Sequence, residues 1–293
     1  VEVEVIGPDG KPVKVLAPRV YLARVDRRDV NGAAVIAGDD LRLRTADALT
    51  NSGVIRADTS SVVDAGSIAN RGTIDFGATG FVRTGGDFVS SGIIQGGNLS
   101  MQIGGDFRLE PLTSSSTVAT SWVGGKRYFE DRTTTTVLNR PATMTLTGDL
   151  TAHIGGVFGV VGSDMAVGGD LTVFAREGFD IRSAVDSQQT DYAGRQGSTR
   201  YTGSASSETN RLATIQVGGD AAFGTDGAFA VTGGVVDAGG ALSVAADTIA
   251  VTGVKDVADY EHDAVTKKTG LLSSTKTATH DEAHDETIVR STL

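Results

Sequence analysis

Apolar and polar residues alternate in short stretches, Leu41-Arg-Leu43, Leu99-Ser-Met101-Gln-Ile103 and Leu171-Thr-Val173, each set off by glycine. Alternation over three to five residues predicts strands. No stretch keeps apolar residues at i, i+3, i+4 and i+7 over three turns, and 39 glycines among 293 residues would interrupt any helix. The pattern therefore predicts an all-β chain of short strands joined by Gly, Asn and Asp turns.

The strands recur. Leu49–Ala57, Ile68–Phe76 and Phe88–Gly96 each read apolar-x-(Asn/Ser)-x-Gly-x-Ile and start 19 and 20 residues apart. A longer period contains this one: Gly-Gly-x-Leu-(Ser/Thr)-(Met/Val) begins at Gly96, Gly168 and Gly239, steps of 72 and 71 residues. Residues 144–173 also align without a gap on 215–244. A unit that repeats its glycines and apolar spacing while its polar residues drift is held to a backbone shape. Strands repeating every ~20 residues predict a parallel β-helix, a solenoid in which each coil pairs with the coils above and below, about 4.8 Å away. Ile55, Ile74 and Ile94 are expected in one inward ladder, and Leu99, Leu171 and Leu242 in equivalent places of successive units. An aromatic content of 5% is read as a bore too narrow for rings.

Segments 111–142, 186–212 and 256–290 are rich in Ser, Thr and charge and fall at the same place in the long unit, so they are expected outside the coils. The division is a lead-in of strands over 1–37, a shaft over 38–255 with excursions at 111–142 and 186–212, and a third excursion over 256–293. Thr133–Val137 and Ser273–Thr277 have high β propensity, which favours outer strands or hairpins over disorder. The first excursion holds the only tryptophan, in a cluster of Trp122, Lys126, Arg127, Tyr128 and Phe129. One reading is an interaction patch; the favoured one is a hairpin lid packed on the shaft by its aromatics.

Net charge is −10 with the acids dispersed and no basic face, which argues against a nucleic-acid partner. No apolar run approaches the ~18 residues that would cross a membrane as a helix. The start at VEVEV, without methionine or signal sequence, suggests a piece of something longer. Cysteine is absent, as suits either a chain threaded unfolded through a pore or a solenoid with no need of staples.

Many β-helices cleave polysaccharides with carboxylates on an exposed strand face. A glycosidase holds two carboxylates within about 5–9.5 Å, whereas Asp39, Asp40, Asp87 and Asp106 follow glycine as turn residues that cap amides. Like charges stacked on Asp87 and Asp106 would repel, so these side chains are expected to splay into solvent. His280 and His284 in HDEAH do not form HExxH, and Gly-Gly-Asp spaced by 19 to 21 residues does not fit calcium-binding nonapeptides. Neither a phosphate loop nor a GxSxG elbow is present. No catalytic residue, no cofactor, no structural metal and no small-molecule substrate are expected. The alternative is a carbohydrate-binding or carbohydrate-cleaving β-helix.

The repeats of Gly-Gly-Asp-Leu type, the Asn-x-Gly-x-Ile series, the stretch Val25–Leu43 and the closing Lys267–Val289 resemble the filamentous haemagglutinin repeat region over essentially the whole chain. That family comprises two-partner-secretion exoproteins of Gram-negative bacteria, adhesins and contact-dependent growth inhibition toxins among them. The resemblance implies a right-handed parallel β-helix on a stalk, with the periplasm crossed in transit, an outer-membrane transporter as export partner and a neighbouring bacterial or host cell surface as target. It also implies a secreted, surface-exposed location and a role in adhesion, virulence or delivery of a C-terminal toxin. The family's secretion domain and toxin domain have no counterpart in residues 1–293.

Overall fold

The computed structural model describes residues 34–293 and the backbone of strands Glu2–Ile6 and Pro12–Leu16, which pair antiparallel. Residues 1, 7–11 and 17–33, most of the expected lead-in, lie outside the described residues. The described residues contain no helix. They form a β-solenoid whose strands stack in parallel on three faces.

A single turn shows the plan. Thr143–Leu146 lies on the first face, Leu150–Ile154 on the second and Val157–Val161 on the third, and the next turn repeats it with Asp164–Val167, Leu171–Ala175 and Gly178–Arg182. In the first two turns the first and second faces run together as the strands Val35–Arg44 and Val54–Ala65. The third face is an 8-stranded sheet with one strand per turn, so eight turns stack along the axis.

The inward ladders fill the bore. On the first face Ile55, Ile74, Ile94, Met144, Met165, Ile215 and Val236 stand in register. On the second Leu99, Leu150, Leu171, Ala221 and Leu242 do the same, so the three expected leucines share one ladder. The third corrects the expected exclusion of rings: Phe88, Phe107, Phe158, Phe179 and Phe229 stack at centroid distances of 5.5, 5.1, 5.6 and 5.2 Å, all buried. A ring placed once per turn meets the ring above it at a favourable aromatic distance, so the coil rise suits the stack.

Polar side chains organise the corners. Asn51 donates from Nδ2 to Asn70 Oδ1 at 2.8 Å, and Asn70 donates to Ser90 Oγ at 3.0 Å, a buried ladder that accounts for the Asn/Ser position of the short motif. Each asparagine also accepts from the amide of its own glycine, Gly53 or Gly72. The aspartates after glycine have a task that the sequence reading did not foresee. Asp87, Asp149 and Asp170 are exposed, as expected, but each points Oδ1 along the axis at the next turn's amide, Asp87 to Asp106 N, Asp149 to Asp170 N and Asp170 to Asp220 N, all at 2.9 Å. The next turn's second glycine makes the room, because a Cβ on Gly169 would lie 2.0 Å from Asp149 Oδ1. Every carboxylate thus faces an N–H, and the like charges are separated by a dipole of favourable sign.

Three antiparallel hairpins leave the shaft at one corner, between the third face and the first. They are Leu112–Gly125 with Tyr128–Arg140, Ala184–Gln196 with Thr199–Arg211, and Val254–Thr269 with Ser274–Val289. Their outer strands pair with one another, so six strands make one antiparallel sheet beside the shaft. Two turns separate successive hairpins, and each hairpin contributes two strands. At about 4.8 Å per strand in either direction, the side sheet and the shaft advance together, which is why the long period contains two turns and one hairpin.

Candidate interaction sites on the antiparallel sheet

Side chains on a strand alternate between faces, so the register assigns each residue of the six strands to one of two surfaces. Trp122 stands opposite Glu130, Glu130 opposite Gly194, and Gly194 opposite Tyr201. One step along, Arg132, Tyr192, Gly203 and His262 form a second row. The same surface takes Tyr128 and Tyr260, hence the sole tryptophan and all four described tyrosines. Phe129 is on the opposite surface, across from Arg195, while Lys126 and Arg127 form the hairpin's turn. The five clustered residues are thus divided: Trp122 and Tyr128 share a surface, Phe129 does not. The expected lid is corrected as well. Trp122 is 61% exposed and its hairpin pairs with the next hairpin's strand, not with the shaft.

The rings lie low over glycine. A Cβ on Gly194 would come within 2.4 Å of Tyr201 Cζ, and one on Gly203 within 2.4 Å of Tyr192 Oη. Arg132 sits 5.4 Å from the Tyr192 ring centroid, and Tyr201 donates to Glu130 at 3.0 Å. Partial burial, with a hydrogen bond to Tyr260, pushes the Tyr192 phenol up to about 12. At the outer end of the first two hairpins, Trp122, Tyr128, Glu130, Arg195, Gln196 and Tyr201 line a cavity of about 330 Å³.

The opposite surface of the last hairpin is acidic. Asp263 meets His280 Nδ1 at 2.8 Å and Asp259 meets His284 Nδ1 at 2.5 Å across the strand pair. Hydrogen bonds to these carboxylates, reinforced by Glu282 and Glu286, raise both imidazoles above their ordinary value. Glu261, Asp263 and His280 bring ligand atoms within 4.8 Å of one another and could hold a metal ion, although all three are exposed. The sequence spacing i, i+4 missed this group because its members come from two strands.

Near the shaft a clasp recurs that no motif announced. The Asn139 amide donates to Asp186 Oδ1 and its Nδ2 to Val185 O, both at 2.7 Å, and Asn210 does the same toward Asp256 and Lys255 at 2.7 and 2.8 Å. Each hairpin's last residues thereby hold the first residues of the next. Elsewhere, Asp87 and Asp106 are engaged in backbone capping and Asp40 accepts from Ser60 at 2.5 Å. Burial acts against the charge on Asp106, but the Val157 amide and Arg108 outweigh it and hold the carboxyl below its ordinary value.

Compared with known proteins, the chain is 30% identical over 237 residues to the tRNA nuclease CdiA-2 of Burkholderia pseudomallei strain 1026b. The matched region is 80% of this chain and 7% of that protein's length. No protein-family description matches the chain, and no solved structure does.

Proposed function

We propose that this chain is a non-catalytic connector: a β-solenoid stalk segment of a large secreted exoprotein of the contact-dependent growth inhibition kind. The observation behind it is that every recurring position has a structural task. The glycines make room, the aspartates and asparagines cap amides, and the aliphatic and phenylalanine ladders fill the bore. No recurring set of nucleophile, base and oxyanion donor remains among the described residues for chemistry.

The similarity to part of a much longer tRNA nuclease supports the same reading, since it runs over 80% of this chain, which is mostly repeated coils and hairpins. In this reading an outer-membrane transporter exports the parent protein, the segment is displayed on the surface of a Gram-negative cell, and the target is a neighbouring cell. The test is made on the parent exoprotein. Removal of residues 143–213, one two-turn unit, is expected to leave export and surface display intact on whole cells, and the purified segment is expected to cleave neither tRNA nor polysaccharide. Cleavage by the segment would contradict the connector role, as would loss of display from a variant that still folds.

A further inference from the structure

The aromatic surface of the side sheet has no task in the shaft. Its rings gather where the turns of the first two hairpins meet, with Gly197 N donating to Arg127 O at 2.7 Å, at the end of the strands remote from the shaft. Rings that only stabilised strand pairing would be covered by their neighbours, yet Trp122 is 61% and Tyr128 47% exposed. Tyr201 lies flat because Gly194 beneath it lacks a Cβ, and Trp122 leans over Gly124, whose added Cβ would meet its ring at 2.6 Å. The cavity thus has aromatic walls, with Gln196 beside them as donor and acceptor and Glu130, which already accepts from Tyr201 and Arg132, as a further acceptor.

We propose that this cavity is a binding site for a neutral glycan, one sugar ring stacking on Trp122 and flanked by Tyr128 and Tyr201. A pyranose has an apolar C–H face that packs on a flat ring and equatorial hydroxyls that need donors and acceptors in the ring plane, and the site supplies both. Polyanions are disfavoured by the net charge of −10 and by Glu130 within the wall, despite the general suitability of exposed aromatics for stacking bases. A wholly apolar ligand would leave Glu130 and Gln196 facing it without water. The inference goes beyond the connector role and does not depend on it, since a stalk functions with or without a ligand on its side sheet.

The chain has a single tryptophan, so its intrinsic fluorescence reports on this site alone. The whole chain is titrated with neutral oligosaccharides, namely chitohexaose, cellohexaose, maltohexaose and a mannose hexamer, and with a single-stranded oligonucleotide. At least one sugar is expected to give a saturable change in Trp122 emission, weakened at least tenfold in Tyr128→Ala. Tyr128 is exposed, so that variant is expected to keep the wild-type circular dichroism. Trp122→Phe, followed by calorimetry, is expected to bind more weakly than wild type and more tightly than Trp122→Ala. The proposal is overturned if no sugar gives a saturable change, if only the oligonucleotide does, or if Tyr128→Ala binds as the wild type does.

Discussion

Asp149 Oδ1 accepts the backbone N–H of Asp170, one turn along the shaft, at 2.9 Å through the space that Gly169 leaves free. The same three-part contact joins Asp170, Gly219 and Asp220, and again Asp87, Gly105 and Asp106. It explains why a pair of glycines precedes the aspartate: the second belongs to the contact below, and the aspartate to the contact above.

Removing the carboxylate in Asp149→Ala is expected to cost roughly 1 kcal/mol, the ordinary net worth of one hydrogen bond at a partly exposed site. Gly169→Ala is expected to cost more, since its Cβ would displace that carboxylate. Because both changes break the same contact, their effects are expected to fall short of additive. Urea unfolding of the two single variants and the double variant measures the coupling, and strict additivity would refute the shared contact.

Phe158 is fully buried between Phe107 and Phe179, and Phe158→Ala is expected to destabilise the shaft by about 3–5 kcal/mol. Asp164→Ala, at a half-buried position with a single ion pair, to Arg211, is expected to stay within about 0.5–1 kcal/mol of wild type. Thermal unfolding distinguishes them, and equal losses would refute the inward stack.

The third hairpin is expected to be pH-sensitive. Asp263 and Asp259 raise the pKa of His280 and His284 above 6.5, so their contribution to folding is complete below that value and is lost as the pH rises through the raised pKa. Amide exchange over residues 254–289 is therefore expected to quicken above this window beyond the intrinsic base catalysis of exchange, and Asp259→Asn with Asp263→Asn to remove the excess. Excess exchange that is unchanged in the double variant would contradict the pairing.

Asn139→Ala is expected to loosen the junction between the first and second hairpins while leaving the shaft ladders protected, because the clasp joins strands of the side sheet alone. Exchange mass spectrometry of residues 128–140 against 144–175 measures this, and equal deprotection of both would place the clasp's role in the shaft.

Much of the shaft was legible in the sequence, because parallel stacking forces equivalent residues to recur at the coil length, as Ile55, Ile74 and Ile94 do. The exposure of the aspartates was legible but their axial hydrogen bonds were not, because spacing does not show that each carboxylate has an oxygen facing the next turn's amide. The rings were misread from their low total, although Phe88, Phe107, Phe158, Phe179 and Phe229 use one place per turn. The side sheet was not legible: Asn139 and Asp186 meet across 47 residues, and no local pattern announces that three hairpins pair with each other. Strand alternation alone would have put Tyr128 and Phe129 on opposite surfaces, the one division of the aromatic cluster that was open to sequence reasoning.

Two turns of shaft and one hairpin of side sheet form one unit. Thr143, Asp164 and Thr214 occupy the same rung, so deleting residues 143–213 joins Ala142 to Thr214 in register. Small-angle scattering with circular dichroism is the direct measurement. The expected result is a folded all-β protein about 10 Å shorter, with a single cooperative unfolding transition; an unfolded chain, or a folded one of unchanged length, would contradict the claim.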